Sequence, residues 1–233
     1  MVAYKEDVSH LVRLKNAGYN PKMVLDIGTS NGEFFNECKH VFSSAQYHLF
    51  EARKIEETTI RETIEASEVP VKLHYGFALG NFNGSKTFHQ IDAGSSFYPE
   101  VTKFKRKKIR KSVKHFGDYL IDSNINLLPS TFIKLDTQGS ELDILDGLYK
   151  VQLDKIEVIQ IEVALIEYNR NAPSFNDVQN IMNYFDYVLY DFIPSFRRQS
   201  DQALFHADAI YVKDTSNLRK KNYFWEAERT MGK

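Results

Sequence analysis

The chain has 233 residues, of which 42% are hydrophobic and 26% charged, and its formal net charge is −1. That length suits one α/β domain with room for an insertion, and the near-neutral charge excludes a partner selected by bulk electrostatics. No apolar run approaches the ~20 residues that cross a bilayer, and the single cysteine, Cys38, excludes an intrachain disulfide and a cysteine-based zinc site.

The first twenty residues are amphipathic and charged, unlike a secretory leader, so a cytoplasmic protein is expected. Apolar positions at helical spacing (Val8, Leu11, Val12, Leu14) predict a helix over 4–17 that Gly18 stops. Val24–Ile27 reads as a buried strand, 32–42 as a helix, Tyr47–Phe50 as a strand and 55–66 as a helix. A third strand is expected over Val71–Leu79, then a turn at Asn81–Gly84 and a short strand at Ser85–His89. Residues 90–130 show the least regular pattern and are expected to be an insertion on the acceptor side. Phe132–Leu135 is a predicted strand, 141–148 a helix, 156–163 a strand and 174–185 a helix behind Pro173. Tyr187–Phe192 and Ala209–Val212 lack a helix between them and read as an antiparallel hairpin. Alternation of strands and helices implies one domain with a mostly parallel sheet covered on both faces.

The segment "VLDIGTSNGEFFNE", Val24 to Glu37, runs from a strand through two glycines into a helix. Such a turn sits at the carboxyl end of a sheet, where these folds bind ligands. A dinucleotide fingerprint, G-x-G-x-x-G from Gly28, requires glycine at positions 30 and 33, which here are Ser30 and Glu33. A glutamate in the first helical turn repels a pyrophosphate where the helix dipole should attract it. A phosphate loop is excluded by the lack of Gly-Lys-Ser/Thr. Asp26 ahead of Gly28 suits a positively charged ligand without phosphate, and S-adenosyl-L-methionine is one. Glu51, at the end of the second strand, stands where a carboxylate accepts ribose hydroxyls.

"STFIKLDTQGSELDILDGL" (130–148), together with "VLDIGTSNGEFF", "YHLFEA" and "HYGFALGNFNGSKTFH", resembles the FkbM-type family of S-adenosylmethionine-dependent methyltransferases. The resemblance spans roughly 22–165 plus the closing "DAIYVKD". It implies a class I methyltransferase (Rossmann-like) fold: a seven-stranded, mostly parallel sheet with an antiparallel C-terminal hairpin and helices on both faces. It also implies O-methylation of a sugar, glycan or other small natural-product hydroxyl. Carried over, Asp26, Gly28, Thr29, Asn31 and Gly32 hold the methionine part, Glu51 and Ala52 the ribose, and Phe77, Ala78 and Leu79 the adenine. Asp136, Gly139 and Glu141 match the family's Lys-x-Asp-x-x-Gly-x-Glu pattern. Gln138 stands where glutamate is usual, and Phe97 follows Ser95-Ser96 where an aliphatic residue is usual.

Residue chemistry adds to this. Lys134 and Asp136 share a strand face, Asp136 lies at the strand's end, and Ser140 with Asp143 has the spacing of a capping box. Asp136 is thus a candidate base, cofactor contact or turn-forming carboxylate. Glu162, inside the apolar "VIQIEVALIEY", needs a partner and is the second catalytic candidate, either sharing the cleft with Asp136, as ligands of a divalent ion or as two paired carboxylates, or bound to a Lys or Arg. No metal centre is assigned. The acceptor side is assigned Ser95, Ser96, Gln138, Glu141, Lys105 and Arg106. His10, His40 and His48 read as surface residues, and His74, His89 and His115 as neighbours of the insertion, each either inert or a candidate base, since imidazole titrates near neutrality. "KFKRKKIRK" (103–111) is either a solvated face or a clamp for an anionic acceptor. The alternatives are an RNA ribose methyltransferase using that run, or a non-catalytic S-adenosylmethionine-binding module. The expected partner is a small-molecule or glycan acceptor, with no membrane role.

Overall fold

The computed structural model describes residues 9–54, 59–91, 94–102 and 105–220. After α1 (His10–Asn16) come β1 (Met23–Ile27), α2 (Glu33–Val41), β2 (Gln46–Glu51), α3 (Ile60–Glu65) and β3 (Val71–Tyr75). Then follow β4 (Ala78–Gly80), β5 (Gly84–Gln90), β6 (Lys107–His115), α4 (Phe116–Asp122), β7 (Thr131–Leu135), α5 (Glu141–Asp146) and α6 (Lys150–Leu153). The chain continues through β8 (Ile156–Ala164), α7 (Phe175–Tyr184), β9 (Tyr187–Arg197) and β10 (Leu204–Lys213) to a 3₁₀ turn at Asn217–Arg219.

Seven strands form one sheet in the order β3-β2-β1-β7-β8-β10-β9. β3, β2, β1, β7 and β8 pair parallel, and β10 lies antiparallel between β8 and β9. The two-residue period of a strand sorts its side chains into two cores. Met23, Leu25 and Ile27 of β1 join Ile133, Leu135, Ile159 and Ile161 on one face, beneath Phe116, Leu120, Ile144 and Met182 of the helices. Val24, Phe132, Val158 and Ile210 point to the other face, under Leu11, Leu14, Phe35 and Ile60. Helices thus cover both faces, and β1 and β7, buried throughout, carry no polar face for solvent.

Three sequence expectations change. The strand expected over Val71–Leu79 breaks at Gly76, whose φ of +85° is a left-handed conformation that ends β3. Beyond the break, β4 leaves the main sheet and pairs with β6 in a second sheet of order β4-β6-β5. The region 90–130 is not irregular throughout, because it contains β6 and α4. Ser140 precedes α5 but makes no side-chain cap. Glu141, the first residue of α5, instead braces the preceding turn, accepting from the Thr137 and Gly139 amides at 2.7 and 2.9 Å. The first part of the expected N-terminal helix, residues 55–58 of the third helix, and Lys103 with Phe104 of the basic run fall outside the described residues. No helix among the described residues is long and apolar enough to cross a membrane.

Candidate active site

The carboxyl ends of β1, β2 and β7 meet at a cleft of about 470 Å³, within the size range of small-ligand sites. One wall is the loop after β1. Gly28 has φ +83°, and a Cβ there would lie 1.8 Å from the Asp136 carbonyl oxygen, so only glycine lets this loop press against the end of β7. Asp26, fully buried beneath the loop, accepts from Thr29 Oγ1 at 2.7 Å through Oδ2, and its Oδ1 has no partner within the protein. Glu51 is 6% exposed and is fixed through both oxygens. Its Oε2 accepts from the Ser30 amide at 2.9 Å, and its Oε1 from the Arg53 amide at 2.8 Å and Arg53 Nε at 3.1 Å. Arg53 also donates to Ser30 Oγ at 2.9 Å, which ties the two loops together.

The opposite wall is a cluster of charges at the ends of β7 and β8. Lys134 Nζ lies 2.9 Å from Asp136 Oδ2. Burial alone would lower the Lys134 pKa, but the charges of Asp136 and Asp26 outweigh it and hold the ammonium protonated. Burial raises the Asp136 carboxyl, and the Lys134 charge, with hydrogen bonds from Lys134 and Gln138 and one with Glu162, overcomes it and leaves Asp136 below the usual carboxylate range. Glu162 goes the other way: burial, then the Asp136 charge, pushes it well above. Gln138 bridges the two, its Nε2 donating to Glu162 Oε2 at 2.6 Å and to Asp136 Oδ1 at 3.3 Å. It does so from a left-handed backbone with φ +58°, a conformation that costs a non-glycine residue about 1–2 kcal/mol. Hydrogen bonds to the Gln138 carbonyl from Ser96 Oγ (2.6 Å) and Asn169 Nδ2 (3.0 Å) hold it there. The result is two carboxyls held about one bridging amide, Asp136 pushed down and Glu162 pushed up, a pair able to orient a hydroxyl and receive its proton.

Comparison with known proteins places this geometry. The family described as Methyltransferase FkbM domain matches residues 26–189, well over half of the chain. The chain belongs to the FkbM methyltransferase family. No curated protein matches it. Among solved structures, this FkbM chain is similar to a protein named as a hemolysin from Lactococcus lactis, at 14% identity over 88% of this chain and 86% of that one, TM-score 0.49. It is also similar to a SAM dependent methyltransferase from Aquifex aeolicus, at 12% identity over 86% and 87%, TM-score 0.43. A third is a precorrin-6y C5,15-methyltransferase from Geobacter metallireducens, at 11% identity over 91% and 93%, TM-score 0.43. The sheet order and its closing antiparallel pair are those of a class I methyltransferase.

Within the FkbM domain, Gly28, Thr29, Asn31, Glu51, Ala52, Phe77, Ala78, Leu79, Ser95, Asp136, Gln138 and Glu162 line the cleft. Asp26 lies beneath the loop, and Gly32, at its end, does not line the cleft. Four expected acceptor-side residues lie off the cleft. Ser96 is fully buried and holds the Gln138 carbonyl, and Glu141 braces its own turn. Arg106 is paired with Glu100 at 2.6 Å, with both side chains buried, and Lys105 is exposed away from the lining. The basic run therefore divides. Lys111 is buried and donates to the Ala52 carbonyl at 2.6 Å, while Lys107, Lys108 and Arg110 are exposed along β6. Sequence reasoning also missed lining residues. His10, expected on the surface, bonds Gln160 at 3.0 Å and faces the cleft, as do Asp208 and Phe196. No local motif marks these three; their position depends on α1 and the β9–β10 pair folding back across the sheet.

Proposed function

We propose that the chain is a single methyltransferase domain that binds S-adenosyl-L-methionine and methylates a hydroxyl of a sugar, glycan or other small natural-product acceptor. The observation that carries this reading is the Asp136–Gln138–Glu162 cluster at the ends of β7 and β8, facing the Gly28 loop across one cleft. The cleft fits the cofactor in two ways: a buried Asp26 oxygen without a partner beneath the Gly28 loop, and the Glu51 carboxylate at the end of β2. When bound, S-adenosyl-L-methionine supplies an electrophilic methyl on sulfur, which the acceptor oxygen displaces as sulfur keeps the bonding pair.

The chain's own residues do the rest. Asp26, with the Gly28–Gly32 loop, takes the amino-acid end, and Glu51 takes the ribose hydroxyls in place of its present bonds to Arg53. Phe77, Ala78 and Leu79 supply an apolar wall for the base. Asp136 accepts the hydrogen bond of the acceptor hydroxyl, aligns its lone pair and takes its proton, and Gln138 keeps Asp136 and Glu162 at their working distance. Ser95 and Phe97 line the acceptor side. The exposed cations of β6 favour an acceptor that carries negative charge.

Calorimetry tests the cofactor, and methyl transfer from labelled S-adenosylmethionine to a panel of neutral and acidic sugars, glycans and RNA tests the acceptor. Binding of S-adenosylmethionine without binding of nicotinamide dinucleotides, and transfer to a sugar hydroxyl, are the expected results. Dinucleotide binding alone, or transfer to RNA alone with a steep salt dependence, overturns the reading.

A further inference from the structure

Glu162 stands in a wall between two spaces. With Gln138 it lines the main cleft, and both also line a cavity of about 20 Å³ bounded by Glu141, Tyr168, Asn169 and His206. A space of that size holds one water. His206 reaches no part of the main cleft. Its ring is 7% exposed, stacks on Phe205 at 4.6 Å and meets the edge of Tyr168 at 5.6 Å. Its Nδ1 lies 3.2 Å from Glu162 Oε1. Its Nε2 is buried and has no partner in the protein. An unpaired buried nitrogen is costly, and a water in the adjoining cavity satisfies it.

The proposed reaction leaves a proton that this arrangement can carry away. Asp136, tied to Lys134, is a poor place for it to stay. The far oxygen of Glu162 points to a ring nitrogen, while its near oxygen sits beside Gln138 and Asp136. We propose that Glu162 and His206 form a proton relay out of the active site, with His206 acting through Glu162 as a positioning residue. It rests on the methyl-transfer reading above.

The relay balances as follows. The proton leaves Asp136 and forms a bond to Glu162 Oε2. The proton on Glu162 Oε1 moves to His206 Nδ1. The imidazolium gives its Nε2 proton to the cavity water, and Glu162 and His206 end with the protons they began with, turned by one place. The groups facing the pair are Lys134 from β7, Asp136 just after it, Glu141 from α5, Asp208 from β10 and Tyr168 from the segment after β8. Burial lowers the His206 pKa while Asp136 raises it, and burial with the surrounding carboxylates keeps the Glu162 proton in place. Both directions suit a neutral ring accepting from a neutral carboxyl.

Nitrogen NMR of the full chain labelled with ¹⁵N-histidine, at pH 7 and without cofactor, tests the arrangement. The His206 signals are identified by their loss in H206N or, should that chain not fold, by through-bond transfer from the His206 amide in native protein. The relay requires a neutral ring with the proton on Nε2 and an unprotonated Nδ1 accepting a hydrogen bond, a preference lost in E162A. A proton on Nδ1 overturns it, since Glu162 then only accepts from His206 or turns its own proton to Asp136. A doubly protonated ring at pH 7, or an unchanged tautomer in E162A, also overturns it. Calorimetry on the same sample separates the two levels. A chain that binds S-adenosylmethionine but shows Nδ1–H loses the relay alone. A chain with the expected tautomer and no binding loses the methyl-transfer reading and with it the source of the proton.

Discussion

The two walls of the cleft are built by different physics. On the Gly28 side, position is fixed by sterics and main-chain hydrogen bonds: a loop closed to within a Cβ of β7, and a Glu51 carboxylate held by two backbone amides and Arg53. On the Asp136 side, Asp136, Glu162 and Asp208, with Asp26 reaching from beneath the Gly28 loop, bear on the Lys134 ammonium. Asp136 is held below the ordinary range, while burial raises Asp26, Glu162 and Asp208. The first wall suits a ligand that is the same in every turnover. The second keeps protons within reach of a bond that must lose one, and small changes of charge there alter chemistry before they alter shape.

The largest effect expected from this contrast is on rate. Asp136→Asn should cut turnover on the acceptor found by screening by ~100- to 10,000-fold, while cofactor affinity stays within a few-fold. Near-normal turnover would move the proton-accepting role to Glu162. Gly28→Ala attacks the other wall, through a left-handed backbone and the displaced end of β7. A loss of about 3 kcal/mol in denaturant unfolding is expected, together with weakened cofactor binding, and an unchanged midpoint would mean the loop relaxes freely. Glu51→Gln keeps the shape and removes the charge. Charge-assisted hydrogen bonds of about 1.5–3 kcal/mol translate to a roughly 10- to 100-fold rise in Kd for S-adenosylmethionine by calorimetry, together with a loss of stability because the buried Arg53 guanidinium loses its counter-charge.

A pH experiment probes the edge of the first wall. His48 and His74 stack with Nδ1 and Nε2 at 3.1 Å, beside Phe50, and burial first, then neighbouring positive charge, pushes each down to about 4. The unfolded chain binds these protons near pH 6.5, so stability is full above that value and falls as pH drops toward 4. Between pH 7 and 5 the loss should be about 3–4 kcal/mol, or roughly 6–16 °C in Tm, and about half that in His48→Gln. A flat profile would show the pair to be solvated. The smallest effect belongs to the exposed cations. Replacing Lys105, Lys107, Lys108 and Arg110 by Ser should leave cofactor affinity within a few-fold and raise KM for an acidic acceptor. Arg106 is left intact because its loss strands the buried Glu100.

The same contrast sets what could be read from the sequence. The sheet was legible because β1, β7 and β8 are mostly apolar and the glycine turns after β1 and β7 are local signals. The Gly28 loop, Glu51 and Asp136 are each within a few residues of a strand end, so short spacing found them. β6 was not legible: Lys107, Lys108, Arg110 and Lys111 make its alternation look like a charge run, although Ile109, Lys111 and Val113 share one strand face. His206 and His10 escaped for another reason. Their partners, Glu162 and Gln160, are 44 and 150 residues away along the chain, and only the closed sheet joins them. Arg106 and Glu141 were misplaced because an ion pair and a turn brace use the same residue types as a substrate contact.

The position of β10 has a consequence for synthesis. β8 pairs with β10, not with the earlier β9, so the β8 edge stays open until Leu204–Lys213 has left the ribosome. For that interval the nascent chain presents an apolar strand, Ile156–Ala164, with a row of unpaired backbone groups. β9 is already made and can reach that edge in the wrong order. Its correct place is one strand further out, against a partner not yet translated, which makes the last hairpin the step most exposed to misassembly and the one a ribosome-bound chaperone would best protect.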